Sequence, residues 1–153
     1  MAKVICYIVG NDISGTVTLT QETPFSNTII DGTIKGLPKG KHGISINTFG
    51  DLTDGFRRCG SPHFNPFGKR HGSPNSDERH VGSLGNISSD GYIATFHIED
   101  SLVQVMGPFS VIGRSIIVYE NEDDLGLGSN RDSSINGNVG KAIAGGVIGI
   151  AAF

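Results

Sequence analysis

The sequence predicts an all-β fold, an antiparallel sandwich or barrel of eight short strands with two long loops, on three observations. Apolar residues alternate with polar ones in short runs, most clearly in GTVTLTQ over Gly15 to Gln21, which is the spacing of a half-buried strand. Glycine supplies 23 of the 153 residues, about twice the usual share, and so provides many turns. No segment keeps a 3.6-residue apolar period over a dozen positions, so long amphipathic helices are excluded.

The strands follow in order. Lys3 to Val9 is apolar and β-branched and stops at Asn11-Asp12; Gly15 to Gln21 is the alternating run. Thr28 to Lys35 and Gly43 to Asn47 are separated by the turn Gly36-Leu37-Pro38-Lys39-Gly40. Ile93 to Ile98, Leu102 to Met106, Ser115 to Tyr119 and Gly146 to Ala151 complete the set. Eight alternating strands of this length indicate a sandwich or barrel. The apolar run in MAKVICYIVGND is short and reads as a first strand rather than a signal peptide.

Bulk properties narrow the function. A chain of 153 residues is read as one domain over 1–153 with a real core. Its 37% hydrophobic and 18% charged residues are ordinary for a soluble protein, and no 18-residue apolar run offers a membrane span. A net charge of -3 leaves no basic footprint for nucleic acid. Cys6 and Cys59 stand in unlike settings, an apolar strand and a polar loop, and read as two reduced thiols, which points to the cytoplasm. The sequon Asn86-Ile87-Ser88 is read as chance.

Two connections are too long for a plain barrel. Phe49 to Val81 and Glu120 to Ala142 both exceed the ~12–15 residues beyond which loops of compact domains usually carry function. The second opens on an acidic run, most of which reads as a solvated tip. The first holds His63, His71 and His80 within GSPHFNPFGKRHGSPNSDERHVGSLGN. Glycine and proline exclude a helix there, so the imidazoles must converge through turns, and three imidazoles go far toward a zinc site.

The ordered motifs GTIKGLPKGKHG, FGD at Phe49 to Asp51, PHFNP at Pro62 to Pro66, DERHVG, LGN, IGRS, DDLG at Asp123 to Gly126 and GVIGIA at Gly146 to Ala151 run from end to end of the chain. Together they closely resemble the copper/zinc superoxide dismutases. The resemblance implies that family's eight-stranded Greek-key barrel. It also implies a zinc site of three histidines and one aspartate, matched by His63, His71 and His80 with Ser83 in the aspartate's place. Asp123 matches the carboxylate that orients a zinc-ligand histidine, here His71. The family's copper is held by four imidazoles, and three of those positions are occupied here by Ser45, Asn47 and Tyr119. Hydroxyls and a carboxamide are poor substitutes for imidazole toward copper. Copper is therefore not expected and no catalytic residue is assigned; the loop either holds zinc, weakened by Ser83, or is metal-free, with its histidines hydrogen-bonded to one another and to Asp123. Tyr119 is expected to fill the vacated pocket and bond to Asn47, Ser45 or His63.

Two further departures concern the loop. The family's disulfide positions carry Phe56 and Gly145, with Cys59 nearby, so a covalent staple worth typically ~2–4 kcal/mol is absent. Arg79 and Asp100 are expected to pair at the loop base as a partly exposed ion pair of small value. The motifs of the family's dimer interface are kept, giving Gly50, Ile112, Gly113, Ile148 and Ile150 as an apolar two-fold patch.

The sequence reading is therefore a catalytically inactive dismutase-like protein. It would act as a homodimer or by pairing with a true dismutase or its copper chaperone. The alternatives are a metal-binding homologue with impaired dismutation and a structural relic or stress protein without a partner. A three-histidine zinc with an open position is also the ligand set of hydrolytic enzymes, but no general base or entry path accompanies it here.

Overall fold

A computed structural model describes residues 1–60 and 63–152. Ser61 and Pro62, the latter opening the PHFNP motif, lie outside the described residues, as does Phe153. The strands are β1 (Ala2–Gly10), β2 (Ile13–Gln21), β3 (Thr28–Lys35), β4 (Gly40–Asn47), β5 (Ser83–Ser89), β6 (Ile93–Asp100), β7 (Ser115–Tyr119) and β8 (Ala142–Ile150), with one short helix α1 (Arg131–Asn136) before β8. They form a single sheet in the order β5-β4-β7-β8-β1-β2-β3-β6, and every pairing is antiparallel. The end strands β5 and β6 lie against each other, so the sheet curls into a nearly closed barrel. Closure protects the edges that an open sheet would expose.

Alternation explains the core. Val17 and Leu19 of β2 and Ile30 and Ile34 of β3 point inward and are fully buried, meeting Ile8, Ile44, Ile46, Ile116 and Ile148. Burying a branched side chain of this size stabilises by about 1.5–3 kcal/mol. No helix among the described residues is long and apolar enough to cross a membrane.

The expected strand at Leu102 to Met106 is absent, and β5 was not anticipated. In the former, side chains from neighbouring strands take the backbone groups a ladder would use. Gln21 Oε1 accepts the N–H groups of Val105 (2.9 Å) and Met106 (3.0 Å), and Thr28 Oγ1 donates to Val103 O (2.6 Å). In β5 the period of two is broken by Gly85 at φ 77°, and the register with β4 shifts between Gly43 and Ser45. A bulge erases the alternation on which a strand is recognised.

The Arg79–Asp100 pair also corrects the sequence reading. Both side chains are 2% exposed, not partly open, with Nη1 2.8 Å from Oδ2. Arg79 additionally donates to the carbonyls of Pro74, His80 and Val81. The loop folds over the pair, because a guanidinium with this many acceptors can be buried where an exposed lysine could not.

Candidate metal centre

The first long loop reaches its histidines by borrowing strand-like bonds from β4. Phe64 N–H donates to Ile46 O (2.9 Å), Ile46 N–H to Gly82 O (3.0 Å) and Gly82 N–H to Phe64 O (3.0 Å). Gly82 is required there, since a Cβ would sit 2.0 Å from Ile46 O. This clasp brings His63, His80 and Ser83 to the foot of β4 and β5. His71 arrives from the far side of the loop, its backbone N–H donating to Ser134 O of α1 (2.9 Å).

The three imidazoles converge as the sequence predicts. One ligand atom from each of His63, His71 and His80 falls within 4.8 Å of the others, and all three residues are buried. The Nδ1 atoms of His63 and His80 are 3.2 Å apart, one donating and the other offering its lone pair. His71 Nε2–H donates to Asp123 Oδ1 (2.7 Å), which leaves Nδ1 as an acceptor for the Ser83 hydroxyl (3.0 Å). Asp123 thus fixes the His71 tautomer whose Nδ1 lone pair faces the cluster.

Burial, and next the mutual repulsion with His71, pushes His63 well below the ordinary imidazole range. The same two effects bring His80 from 6.5 down to about 4. These rings stay neutral near pH 7, the state a metal ligand requires. The sign of the pH dependence follows. Unfolded imidazoles take a proton near pH 6.5 while folded His80 resists until about 4, so the unfolded chain binds more protons across that window. The chelator-treated protein is expected to lose stability steadily as pH falls from 6.5 toward 4. Urea midpoints measured against pH would reveal this as a slope absent in a His63→Gln, His80→Gln variant.

Asp123 is itself held. Asn86 grips its backbone, donating from Nδ2 to Asp123 O (2.9 Å) and accepting its N–H at Oδ1 (2.7 Å). The carboxamide of the sequon is therefore fully engaged. Asp124, in the acidic run read mostly as a solvated tip, accepts from Ser133 Oγ (2.7 Å), Gly126 N–H (3.0 Å) and Asn138 Nδ2 (2.7 Å) and organises the loop. The helix α1 is capped by Asn130 at its start and ends on Gly137 at φ 73°. A Cβ at Gly137 would lie 1.9 Å from Asp123 Oδ1 and 2.8 Å from His71 Nε2. The sequence reading missed Asn86 and Gly137. The Asn-Gly pair closing SSING was the available signal for Gly137.

Beside the histidines lies a second cluster. Ser45 Oγ donates to Asn47 Oδ1 (2.7 Å), Asn47 Nδ2 to Tyr119 Oη (3.3 Å), and Tyr119 Oη to Ser45 Oγ (3.0 Å), closing a ring. Asn47 Nδ2 also reaches Gly60 O (3.0 Å). His63 is not part of it, its ring centroid standing 6.2 Å from that of Tyr119. Tyr119 is 9% exposed. Its ring belongs to a small apolar core with Cys59, Ile117 and Val139, against which Leu52, Phe56 and Ala142 pack. Phe56 comes so close to Gly145 that a Cβ there would meet its ring at 3.0 Å. Both cysteines are free and buried. Among the described residues no buried side-chain polar atom lacks a partner.

On the outer face Gly50, Gly113 and Val147 meet, a Cβ at Gly50 lying 2.2 Å from Gly113 O and 3.1 Å from Val147 Cγ1. Ile112 adjoins them and is exposed, as is Ile150 at 80%. Ile148 does not join this surface. It is 1% exposed and faces the barrel core opposite Cys6, because alternation along β8 turns it inward where Val147 turns outward.

A family model described as copper/zinc superoxide dismutase matches residues 13–148. The chain is 46% identical over 147 residues to "Superoxide dismutase [Cu-Zn] 5" of Dictyostelium discoideum, covering 95% of this chain and 96% of that one. It is 43% identical over 150 residues to "Superoxide dismutase [Cu-Zn] A" of Xenopus laevis (97% and 98%). It is 46% identical over 154 residues to "Superoxide dismutase [Cu-Zn]" of Cordyceps militaris (99% of each).

Proposed function

The chain belongs to the copper/zinc superoxide dismutase family, and from that premise we propose that it is a catalytically inactive, dismutase-like protein of the cytoplasm that acts through assembly. The observation that carries this is the closed ring of Ser45, Asn47 and Tyr119. These residues stand where the family resemblance assigns copper-binding imidazoles. Their donors are weak and neutral, and burial pushes the Tyr119 phenol further up, so they do not fit a redox copper. The apolar contacts of Leu52, Phe56 and Ala142 around the Tyr119 ring support the same reading, since they make that ring part of a packed apolar cluster.

His63, His71 and His80 do fit a metal. Bound there, the ion would tie the first long loop to Asp123 and α1. Because the rings are buried, with His63 4% exposed, hydrolytic use of an open position is disfavoured.

Assembly is proposed through the outer face of Gly50, Ile112, Gly113, Val147 and Ile150, by a second copy of this chain, a copper/zinc dismutase or its copper chaperone. Ile112 and Val147 are exposed beside Gly50 and Gly113, and Ile150 is exposed further along β8, leaving apolar side chains available for a two-fold contact.

The names of the relatives support a second reading, in which the chain binds both metals and retains residual dismutation. One preparation separates the two. After loading with copper and zinc, metal content and superoxide turnover are measured together. The expected result is no turnover and at most one bound metal, lost on replacing His80 by Ala. A second bound metal with turnover would sink the proposal. Sedimentation alone and with a dismutase tests the assembly half, where a chain that stays monomeric in both overturns it.

A further inference from the structure

The donor set of the histidine cluster separates two metals that family membership joins. Three imidazoles and the nearby Ser83 hydroxyl are uncharged donors, and no carboxylate belongs to the group of converging ligand atoms among the described residues. The nearest anion, Asp123, stands one step back on His71 Nε2. On the other side Arg79 adjoins His80, its charge balanced by Asp100. An occupied site therefore carries the charge of its metal less one. A divalent ion leaves a buried positive charge, whereas a monovalent ion leaves none. The desolvation cost of an ion rises with the square of its charge, about fourfold from one to two.

Coordination number points the same way. Zinc in a closed site asks for a fourth ligand, and Ser83 offers only a neutral hydroxyl already donated to His71 Nδ1 at 3.0 Å. Monovalent copper, with a filled d shell, is satisfied by three nitrogen donors, and imidazole suits copper as well as zinc. We infer that the cluster of His63, His71 and His80 takes monovalent copper in preference to zinc, and that Ser83 sets this preference. The inference rests on reading the cluster as a metal site. It revises the expectation of no copper: the pocket at Ser45, Asn47 and Tyr119 stays free of it, and copper occupies the neighbouring histidines.

The test is competition on the chelator-treated, intact chain. Monovalent copper is titrated anaerobically against bicinchoninate, zinc is titrated against a chromophoric chelator, and each metal is then challenged with the other at equal concentration. The expected result is one copper held against equimolar zinc and lost in His80→Ala. In Ser83→Asp, zinc affinity should rise about tenfold or more while copper affinity moves less than about threefold. X-ray absorption at the copper edge of the unmodified protein gives an answer independent of whether a variant folds, with three nitrogen neighbours expected.

Zinc that equimolar copper fails to displace overturns this inference alone and leaves the metal reading intact. Failure to bind either metal overturns both. Copper that survives His80→Ala, or that shows a phenolate neighbour, overturns both as well, because it would then sit at Tyr119.

Discussion

Replacing Arg79 with alanine is expected to destabilise the chelator-treated protein by about 3–5 kcal/mol, the range found when one partner of a buried ion pair is removed. Asp100 would remain buried, keeping only the N–H groups of Leu102 (2.8 Å) and Val103 (2.9 Å) to stabilise its charge. The carbonyls of Pro74, His80 and Val81 would lose their donor at the same time. For a chain of this length a loss of that size lowers Tm by roughly 10 °C. Urea unfolding measures it directly, and a cycle with Asp100→Asn isolates the pair from the carbonyl contacts. A loss under ~1 kcal/mol, the value of an exposed pair, would mean that the loop opens around Arg79 in solution.

That difference between the exposed and the buried pair marks where sequence reasoning stops. Charge identity and spacing name Arg79 and Asp100 as partners, but burial depends on how the loop from 48 to 82 folds back over the barrel end, which local pattern does not encode. The same holds for Asp124. Its acidic neighbours Glu122 and Asp132 are exposed as a charge run should be, while Asp124 organises Ser133 and Asn138 from within. Strands β3 and β7 were legible to the residue because their alternation or apolar continuity is unbroken. β5 was not, since Gly85 at φ 77° interrupts it, and Leu102 to Met106 imitates a strand whose bonds go to Gln21 and Thr28.

The histidines were legible for a different reason. A loop rich in glycine and proline has no periodic role for His63, His71 and His80, so their presence asked for convergence, and the geometry supplies it. What held them was hidden. Asn86 looked like a chance sequon, yet its carboxamide is committed to both backbone groups of Asp123. Gly137 carries two constraints at once, a left-handed backbone and the absence of a Cβ beside His71 Nε2. Neither constraint is visible without the second loop in place.

Tyr119 carries the other large effect. Tyr119→Ala should cost about 3–4 kcal/mol, in line with removal of a buried aromatic ring. The cavity it leaves is bounded by Ile117, Val139, Leu52 and Phe56, which cannot collapse far while β7 stays paired with β4 and β8. Tyr119→Phe should cost only about 1 kcal/mol, because Ser45 still donates to Asn47 and Asn47 still reaches Gly60 O. Tyr119→His is the discriminating variant. If the ring is a structural plug, imidazole is smaller and more polar, and the variant loses stability in chelator without gaining copper, since Ser45 and Asn47 remain poor donors. A pocket still built for metal would behave in the opposite way: the single imidazole would recruit copper beside His63, and metal would return stability. Urea unfolding of the three variants, with and without copper, decides between these. An order of loss with alanine greatest and phenylalanine least, and no rescue of histidine by copper, fits a ring that serves the barrel as part of its core.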